Sequence, residues 1–325
     1  MFLAAPACAL LAGCFTDPPP ATEGSSTSAA GSTTSGVDPE TSADSSTTDD
    51  DASTGSTGLG TTGSTGTGTT GSAGFDTDAD DATGLDGGCM PIPGMVCIPE
   101  GTFLRGSAKD GPAPMDEQPQ ENITLSAFQI DRFEVTVSDY AECEAEGVCT
   151  TRVSTVNTKD PCTVANDDPA NCVTWDQANT YCEWADKKLP TEAQWERAAR
   201  GTSGDPFPWG INEPSCSLAV FDDCGTNSPA AVGSRSPTGD SPEGISDMAG
   251  NVFEWTADWY APGAYVMDPN DNPVGPPTGR TRVMRGGFYG SPMHDIRTAN
   301  RQEFMPEGAS PAIGFRCAAP APPMP

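Results

Sequence analysis

Basic residues and histidine are scarce in this chain. Its 325 residues include 46 acidic side chains, only 16 basic ones and a single histidine, His294, and no lysine or arginine precedes Arg105. The resulting negative charge disfavours nucleic acid and anionic membrane surfaces as partners. One histidine is too few for an iron centre built from two histidines and a carboxylate. The cysteines form no C-x-x-C pair, the spacing expected of a thiolate metal site.

The N-terminal residues 1–14, MFLAAPACALLAGC, have the pattern of a bacterial lipoprotein signal, in which Cys14 is lipidated. Export signals normally begin with positive charge, so the missing basic residue suggests that the start is truncated. An ordinary apolar N-terminus is the alternative, but the polar tract that follows offers it nothing to pack against. We therefore expect an exported cell-envelope lipoprotein, at the outer membrane or cell surface, whose membrane contact is the lipid anchor alone.

Residues 15–88 are dominated by Thr, Ser, Gly, Asp and Ala, and carry 13 acids with no basic residue. Such a segment cannot bury enough apolar surface to offset its chain entropy, so we predict a disordered acidic tether. A glycosylated stalk is an alternative with the same composition.

A single domain is predicted for residues 89–319, followed by a disordered tail at 320–325. The 33 remaining acids and all 16 basic residues lie beyond residue 88, which gives that part a formal charge of −17. It also holds ten of the 12 cysteines. An even count in an exported chain indicates disulfides, although the sequence alone leaves hundreds of connectivities open.

Three helices are predicted from capping boxes, in which a hydroxyl at the N-cap is followed three residues later by an acid or amide. The pairs are Thr136 with Asp139, Thr174 with Gln177, and Thr191 with Gln194. The first and third helices are expected at about 137–146 and 192–200. Short apolar runs between Gly- and Pro-rich connections predict strands near 95–106, 122–136, 282–290 and 312–318. The fold class is therefore α+β, loop-rich and stapled by disulfides.

Four segments together resemble the sulfatase-modifying-factor family, whose founding member is the formylglycine-generating enzyme. They are VTWDQANTYCEWADKKLPTEAQWERAARG, ISDMAGNVFEWTADWY, RVMRGGFYG and IGFRCA. The resemblance implies a C-type-lectin-like fold over about 90–319. In that family the RGG segment leads to two cysteines that bind copper(I) and oxidise a substrate cysteine. Here Ser291 aligns with the first cysteine, and the segment up to Arg297 is about three residues shorter. Serine cannot replace a thiolate for copper(I), so copper is not expected.

The resemblance also implies a disulfide between Cys182 and Cys317. The other eight cysteines of the domain lie close to one another in sequence. We therefore pair them as neighbours: 89 with 97, 143 with 149, 162 with 172, and 216 with 224.

A calcium ion is implied by the resemblance of GNVFEW to the family's calcium-binding segment. Matched residue by residue, Asp247, Asn251 and Glu254 would supply side-chain oxygens and Gly250 a carbonyl oxygen. Calcium prefers six to eight such oxygens, and hydrogen bonding of these groups to the backbone is the alternative. A second family site is in doubt, because Asp222 and Asp223 are present but Val220 stands where the family has asparagine.

The family's peptide-binding groove would include Tyr289, Ser291, His294, Arg297 and Arg301. Core packing is the alternative for these side chains, and it is the expectation for Trp255 and Arg316. Ser291, His294 and Asp295 have the residue types of a hydrolase triad, but neighbours this close rarely reach triad geometry.

Three functions compete on these observations. The first is a membrane-anchored lipoprotein whose domain binds a peptide, protein or glycan of the cell envelope without catalysis. The second is a formylglycine-generating-type oxidoreductase that uses a non-standard site. The third is a purely structural envelope protein. Copper binding and oxygen consumption separate the second function from the other two.

Overall fold

The computed structural model describes residues 89, 92–108, 113–153, 162–163 and 165–322. The predicted signal segment with Cys14, the tether at 15–88 and the last three residues lie outside the described residues. Among the described helices none is long and apolar enough to cross a membrane.

Three helices of two to three turns stand where the capping boxes predict them. They are α1 (Val137–Ala145), α2 (Trp175–Trp184) and α3 (Glu192–Arg200). Each has a complete capping box: the threonine hydroxyl accepts a hydrogen bond from the backbone amide three residues later, and the side chain of that residue accepts one from the threonine amide. A single-turn helix, α4 (Ala264–Met267), was not predicted. Helix α3 ends at Arg200, as predicted, and Gly201 follows it with φ +62°, which glycine adopts readily.

Nine short strands in the described part of the chain form three small sheets. They are β1 (Met95–Ile98), β2 (Gly101–Arg105), β3 (Glu121–Leu125), β4 (Phe128–Asp131), β5 (Phe253–Trp259), β6 (Arg282–Arg285), β7 (Gln302–Phe304), β8 (Ile313–Gly314) and β9 (Ala318–Pro320). The sheet orders are β1-β4-β9, β2-β3 and β7-β6-β5-β8, and the only parallel pair within these sheets of the described region is β5 with β8. The α+β, loop-rich class predicted from the sequence is confirmed.

Two differences from the sequence interpretation concern strands. Pro320, assigned to a disordered tail, ends β9, where it pairs with Phe128 of β4. Proline is tolerated there because it closes the strand and has no N–H to leave unpaired. Glu254, assigned to a calcium-binding loop, lies instead in β5, one of the two inner strands of the largest sheet.

The core consists mainly of two buried clusters. One brings Tyr140, Tyr181 and Phe315 together beneath α1 and α2, with ring centroids 5.4 to 6.3 Å apart. The other packs α3, through Trp195, against strands β1 to β4. Trp255 and Arg316, expected in the core, are both fully buried.

All ten described cysteines are joined in disulfides, and the pairs are those named above from the sequence. Cys182 and Cys317 link α2 to the start of β9, with their Cα atoms 5.6 Å apart. The other four bridges close loops between residues six to ten positions apart.

Candidate functional site

Three loops converge beside the end of β6. The Gly250 amide donates to the Gly286 carbonyl at 2.8 Å, and the Tyr289 amide donates to the Asn251 carbonyl at 2.9 Å. The Asp222 amide donates to the Ser291 carbonyl at 3.0 Å. Backbone hydrogen bonds thus hold together the RGG segment that begins at 285, the GN segment that begins at 250, and the acidic 222–224 turn. Two of the four segments that carried the family resemblance thus meet in one site.

Gly250 allows two of these loops to approach closely. It has φ +80°, and a Cβ atom there would lie 2.2 Å from the carbonyl oxygen of Val220. Because no side chain fits this gap, any larger residue would push the GN segment away from Val220.

Ser291 is buried, with 1% of its surface exposed. Its hydroxyl oxygen accepts a hydrogen bond from the Phe288 amide at 3.0 Å, and its own amide donates to the Phe288 carbonyl. The residue therefore closes the turn that follows RGG. No hydrogen bond joins it to His294 within the described residues, so the triad weighed from the sequence does not form.

His294 and Arg297 line a cavity of about 600 Å³ next to this turn. The His294 side chain is 75% exposed and lies 3.4 Å from an Asp295 oxygen. Arg297 donates two hydrogen bonds to Glu117, at 2.8 and 2.7 Å, and one to the His294 carbonyl. Burial alone would raise the pKa of Glu117, but the bonds from Arg297 and Ser107 lower it. The Arg297 guanidinium in the cavity wall is thus held in place by two hydrogen bonds to the buried Glu117.

Glu117 was missed by the sequence interpretation. It lies in a short 3₁₀ turn, Met115–Glu117, far in sequence from Arg297, and no local pattern distinguishes it from the surrounding acids. Its burial is visible only in the folded chain.

The remaining two groove candidates, Tyr289 and Arg301, are both buried. Tyr289 is 8% exposed and packs edge-on against Phe288 with ring centroids 5.1 Å apart. Arg301 was expected in the groove, but its side chain is fully buried and donates to both oxygens of Glu192, at 2.6 and 2.8 Å. A guanidinium needs paired acceptors when it is removed from water, and Glu192 supplies them. Arg301 therefore belongs to the interior.

A buried network of charges surrounds α3. Glu196 accepts from the Gly106 amide and Arg200 through one oxygen, both at 2.7 Å. Its second oxygen accepts from Arg285 at 2.6 Å and from the Tyr265 hydroxyl at 3.1 Å. Arg285 also donates to three backbone carbonyls of the 298–300 segment. This network fixes the position of β6, and with it the RGG segment, relative to α3.

The predicted calcium ligands lie in a pocket of buried acids. A side-chain oxygen of Asp247 accepts a hydrogen bond from the Gly233 amide, and the side-chain oxygen of Asn251 accepts one from the Ala230 amide. Asp247 and Asn251 both have positive φ. Asn251 donates to both oxygens of Glu134, a third buried acid that the sequence interpretation missed. Burial raises the pKa of Asp247 to about 6, and burial with the neighbouring Asp247 and Glu254 raises the pKa of Glu134 well above its usual value.

Glu254 is held differently from the other predicted ligands. Its two oxygens accept from Arg316 at 2.7 Å each, and one also accepts from the Trp195 indole at 2.8 Å. Within the described ranges no three His, Cys, Asp or Glu side chains converge closely enough to hold a metal ion. A calcium ion here would depend on amide and carbonyl oxygens in addition to carboxylates.

The architecture defines a class of protein, a loop-rich α+β domain built like the formylglycine-generating enzymes. The chain belongs to the family of the sulfatase-modifying factor enzyme 1-like domain, whose model matches residues 85–321.

The relatives of this chain include proteins named as kinases and proteins named as formylglycine-generating enzymes. The serine/threonine-protein kinase Pkn1 of Chlamydia trachomatis is 36% identical over 242 residues, which are 69% of this chain and 38% of that protein. The formylglycine-generating enzyme of Streptomyces coelicolor is 39% identical over 166 residues, 46% of this chain and 52% of that enzyme. The chain thus spans about half or less of these two relatives. Among solved structures, PvdO from Pseudomonas aeruginosa is similar with a TM-score of 0.61 and 28% identity, covering 70% of this chain and 94% of that one.

Proposed function

We propose that this domain is a non-catalytic binding module, presented at the cell envelope by an exported lipoprotein that is anchored through Cys14. The observation that supports the proposal is the oxidation state of the cysteine sulfur atoms in the described part of the chain. All ten described cysteines are in disulfides, and the position aligned with the first copper cysteine is the buried Ser291. Copper(I) oxidation in this family needs two thiolates, and a disulfide sulfur is not a thiolate.

The ligand is a peptide, protein or glycan of the envelope, bound at the cavity beside His294. Its wall offers a hydroxyl, an imidazole, a carboxylate and a guanidinium, from Ser107, His294, Asp295 and Arg297. These groups can donate and accept hydrogen bonds along a polar ligand. Because Glu117 already neutralises Arg297, neutral amide or hydroxyl groups suit this wall better than a carboxylate.

The purified protein is expected to leave a sulfatase-type cysteine peptide unchanged in the presence of copper and oxygen. Every cysteine in the described part of the chain is in a disulfide, so the domain offers no pair of thiolates to bind the metal and join the substrate sulfur. Mass spectrometry of the peptide measures the conversion, with the Streptomyces coelicolor enzyme as the active reference.

A Ser291→Cys variant is the matched control for this experiment. It restores one sulfur at the aligned position, and we expect it to remain inactive because the shortened loop supplies no second cysteine. Formylglycine formed by the unmodified chain above the enzyme-free background would reject the binding-module proposal and favour the oxidoreductase with a non-standard site.

Calcium binding at the GN segment is part of the same proposal. Three buried acids, Glu134, Asp247 and Glu254, face a single buried guanidinium, that of Arg316. An excess of buried negative charge is costly unless a proton or a cation compensates it. Asp247, Asn251 and the Gly250 carbonyl would hold the ion, with Glu134 as the nearby acid, and Glu254 would stay paired with Arg316.

Calcium is therefore expected to raise the melting temperature. At a concentration 100 times the dissociation constant, binding to the folded state alone adds about 2.7 kcal/mol, or roughly 5–10 °C for a domain of this size. Thermal denaturation with millimolar calcium or with chelator measures the shift. An Asp247→Asn variant should lose it and an Asp223→Asn variant should keep it. Equal melting temperatures with calcium and with chelator for the unmodified chain would exclude the site.

A further inference from the structure

A second cavity of about 600 Å³ lies on a different part of the domain. Its wall is built from α2, the loop and first turn leading into α3, the start of β4, and β9. None of its lining residues belongs to the RGG or GN segments. It therefore offers a binding place that is independent of the site described above.

The floor of this cavity is apolar and firmly held. Phe128 and Leu189 contribute buried side chains, and Trp175 contributes an indole ring. The indole N–H donates to the Thr256 carbonyl at 2.8 Å, and the guanidinium of Arg282 stacks 3.7 Å from the ring centroid. Arg282 is itself sandwiched against Trp259 at 3.6 Å. Trp175 is thus fixed before any ligand arrives, so binding costs little side-chain entropy.

The rim of the cavity carries oriented polar groups. Gln194 uses its carbonyl oxygen to cap α3, which leaves its NH₂ group with no hydrogen-bond acceptor among the described residues. Asn179 donates to Glu183 at 2.8 Å, which orients its own carbonyl oxygen as an acceptor. The Lys188 ammonium has no partner in the described part of the chain. Donors from Gln194 and Lys188 and an acceptor from Asn179 therefore border the apolar floor.

We infer that this cavity binds a neutral saccharide. A pyranose ring presents an apolar C–H face together with hydroxyl groups that both donate and accept, and this cavity combines an aromatic floor with donors and acceptors at its rim. The opposite charges of Glu183 and Lys188 lie at the same rim and balance one another, so nothing there selects a charged sugar. The inference does not depend on the groove at His294 or on the absence of copper chemistry.

Saturation-transfer-difference NMR on the full chain tests the inference with four probes at millimolar concentration. N-acetylchitotriose, maltotriose and cellotriose are neutral, and trigalacturonate is anionic. We expect transfer to at least one neutral trisaccharide and none to trigalacturonate. Transfer to no neutral probe, or to trigalacturonate alone, would overturn the inference.

A double variant and a control, each with one change in α2, localise the binding. Asn179→Ala combined with Lys188→Ala removes an acceptor and a donor from the rim, and the dissociation constant should rise about tenfold or more, as expected for two lost hydrogen bonds. Thr180→Ala, one position along the same helix and outside this cavity, should leave the dissociation constant unchanged. Both variants should melt within a few degrees of the unmodified protein. Equal affinity in the double variant and the control would show that any saccharide binds elsewhere.

Discussion

Replacing Glu196 with alanine is expected to lower the free energy of unfolding by about 3–5 kcal/mol, the usual cost of removing one partner from a buried ion pair. Glu196 accepts from Arg200 and Arg285, which are both almost completely buried. Without the carboxylate these two guanidinium groups would remain in the interior beside only neutral carbonyls and the more distant Glu192. Urea denaturation of the two proteins at neutral pH measures the difference.

Two further variants separate the loss of charge from the loss of shape. Glu196→Gln keeps the size of the side chain and one acceptor oxygen. Its free energy of unfolding should therefore lie between those of the alanine variant and the unmodified protein. Glu142→Ala truncates an exposed acid on α1 and should change the free energy by less than about 0.5 kcal/mol. A Glu196→Ala protein as stable as the Glu142→Ala protein would contradict the role given to the network.

Removal of the bridge between Cys182 and Cys317 is expected to cost more stability than removal of any other disulfide in the domain. The two cysteines are 135 residues apart, and in the chain-entropy model a loop of that length corresponds to about 5 kcal/mol. The Cys182→Ala, Cys317→Ala double variant should therefore melt at a much lower temperature. Chemical denaturation under non-reducing conditions gives the free energy.

The bridge between Cys143 and Cys149 provides a matched comparison. Both bridges lie in the same buried cluster, so their replacement by alanine removes similar apolar surface. Residues 143 and 149 are only six positions apart, which in the same model corresponds to about 2 kcal/mol. Equal losses from the two double variants would mean that lost packing, and not loop length, decides the contribution of these bridges.

Features that depend on neighbouring residues could be predicted from the sequence. The three capping boxes involve contacts three residues apart, and all three helices begin where the hydroxyl residues predict. Strand β5 was missed for the opposite reason. Glu254 and Asp258 make its sequence polar, and Glu254 is compatible with a buried strand only because Arg316, 62 residues away, neutralises it.

In the candidate site, too, features that depend on sequence neighbours could be predicted, and features that depend on distant partners could not. The motifs around Gly250 and Ser291 were visible, because family resemblance lies in contiguous residues. The roles of Arg301 and Glu117 were not visible, because each is decided by a partner more than a hundred positions away. An arginine in a sequence can end in a groove or in an ion pair, and only the location of the matching acid distinguishes the two.

The arrangement of the disulfides also sets an order in which the domain can be completed. Four bridges join cysteines at most ten positions apart, so under oxidising conditions each can close as soon as its own short stretch of chain has been made. The fifth must wait for Cys317, close to the C-terminus. Cys182 therefore lacks its native partner until Cys317 is made 135 residues later, and β9, which follows Cys317 directly, then completes its sheet beside the new bridge. Termination between Cys182 and Cys317 would leave a chain in which Cys182 has no native partner.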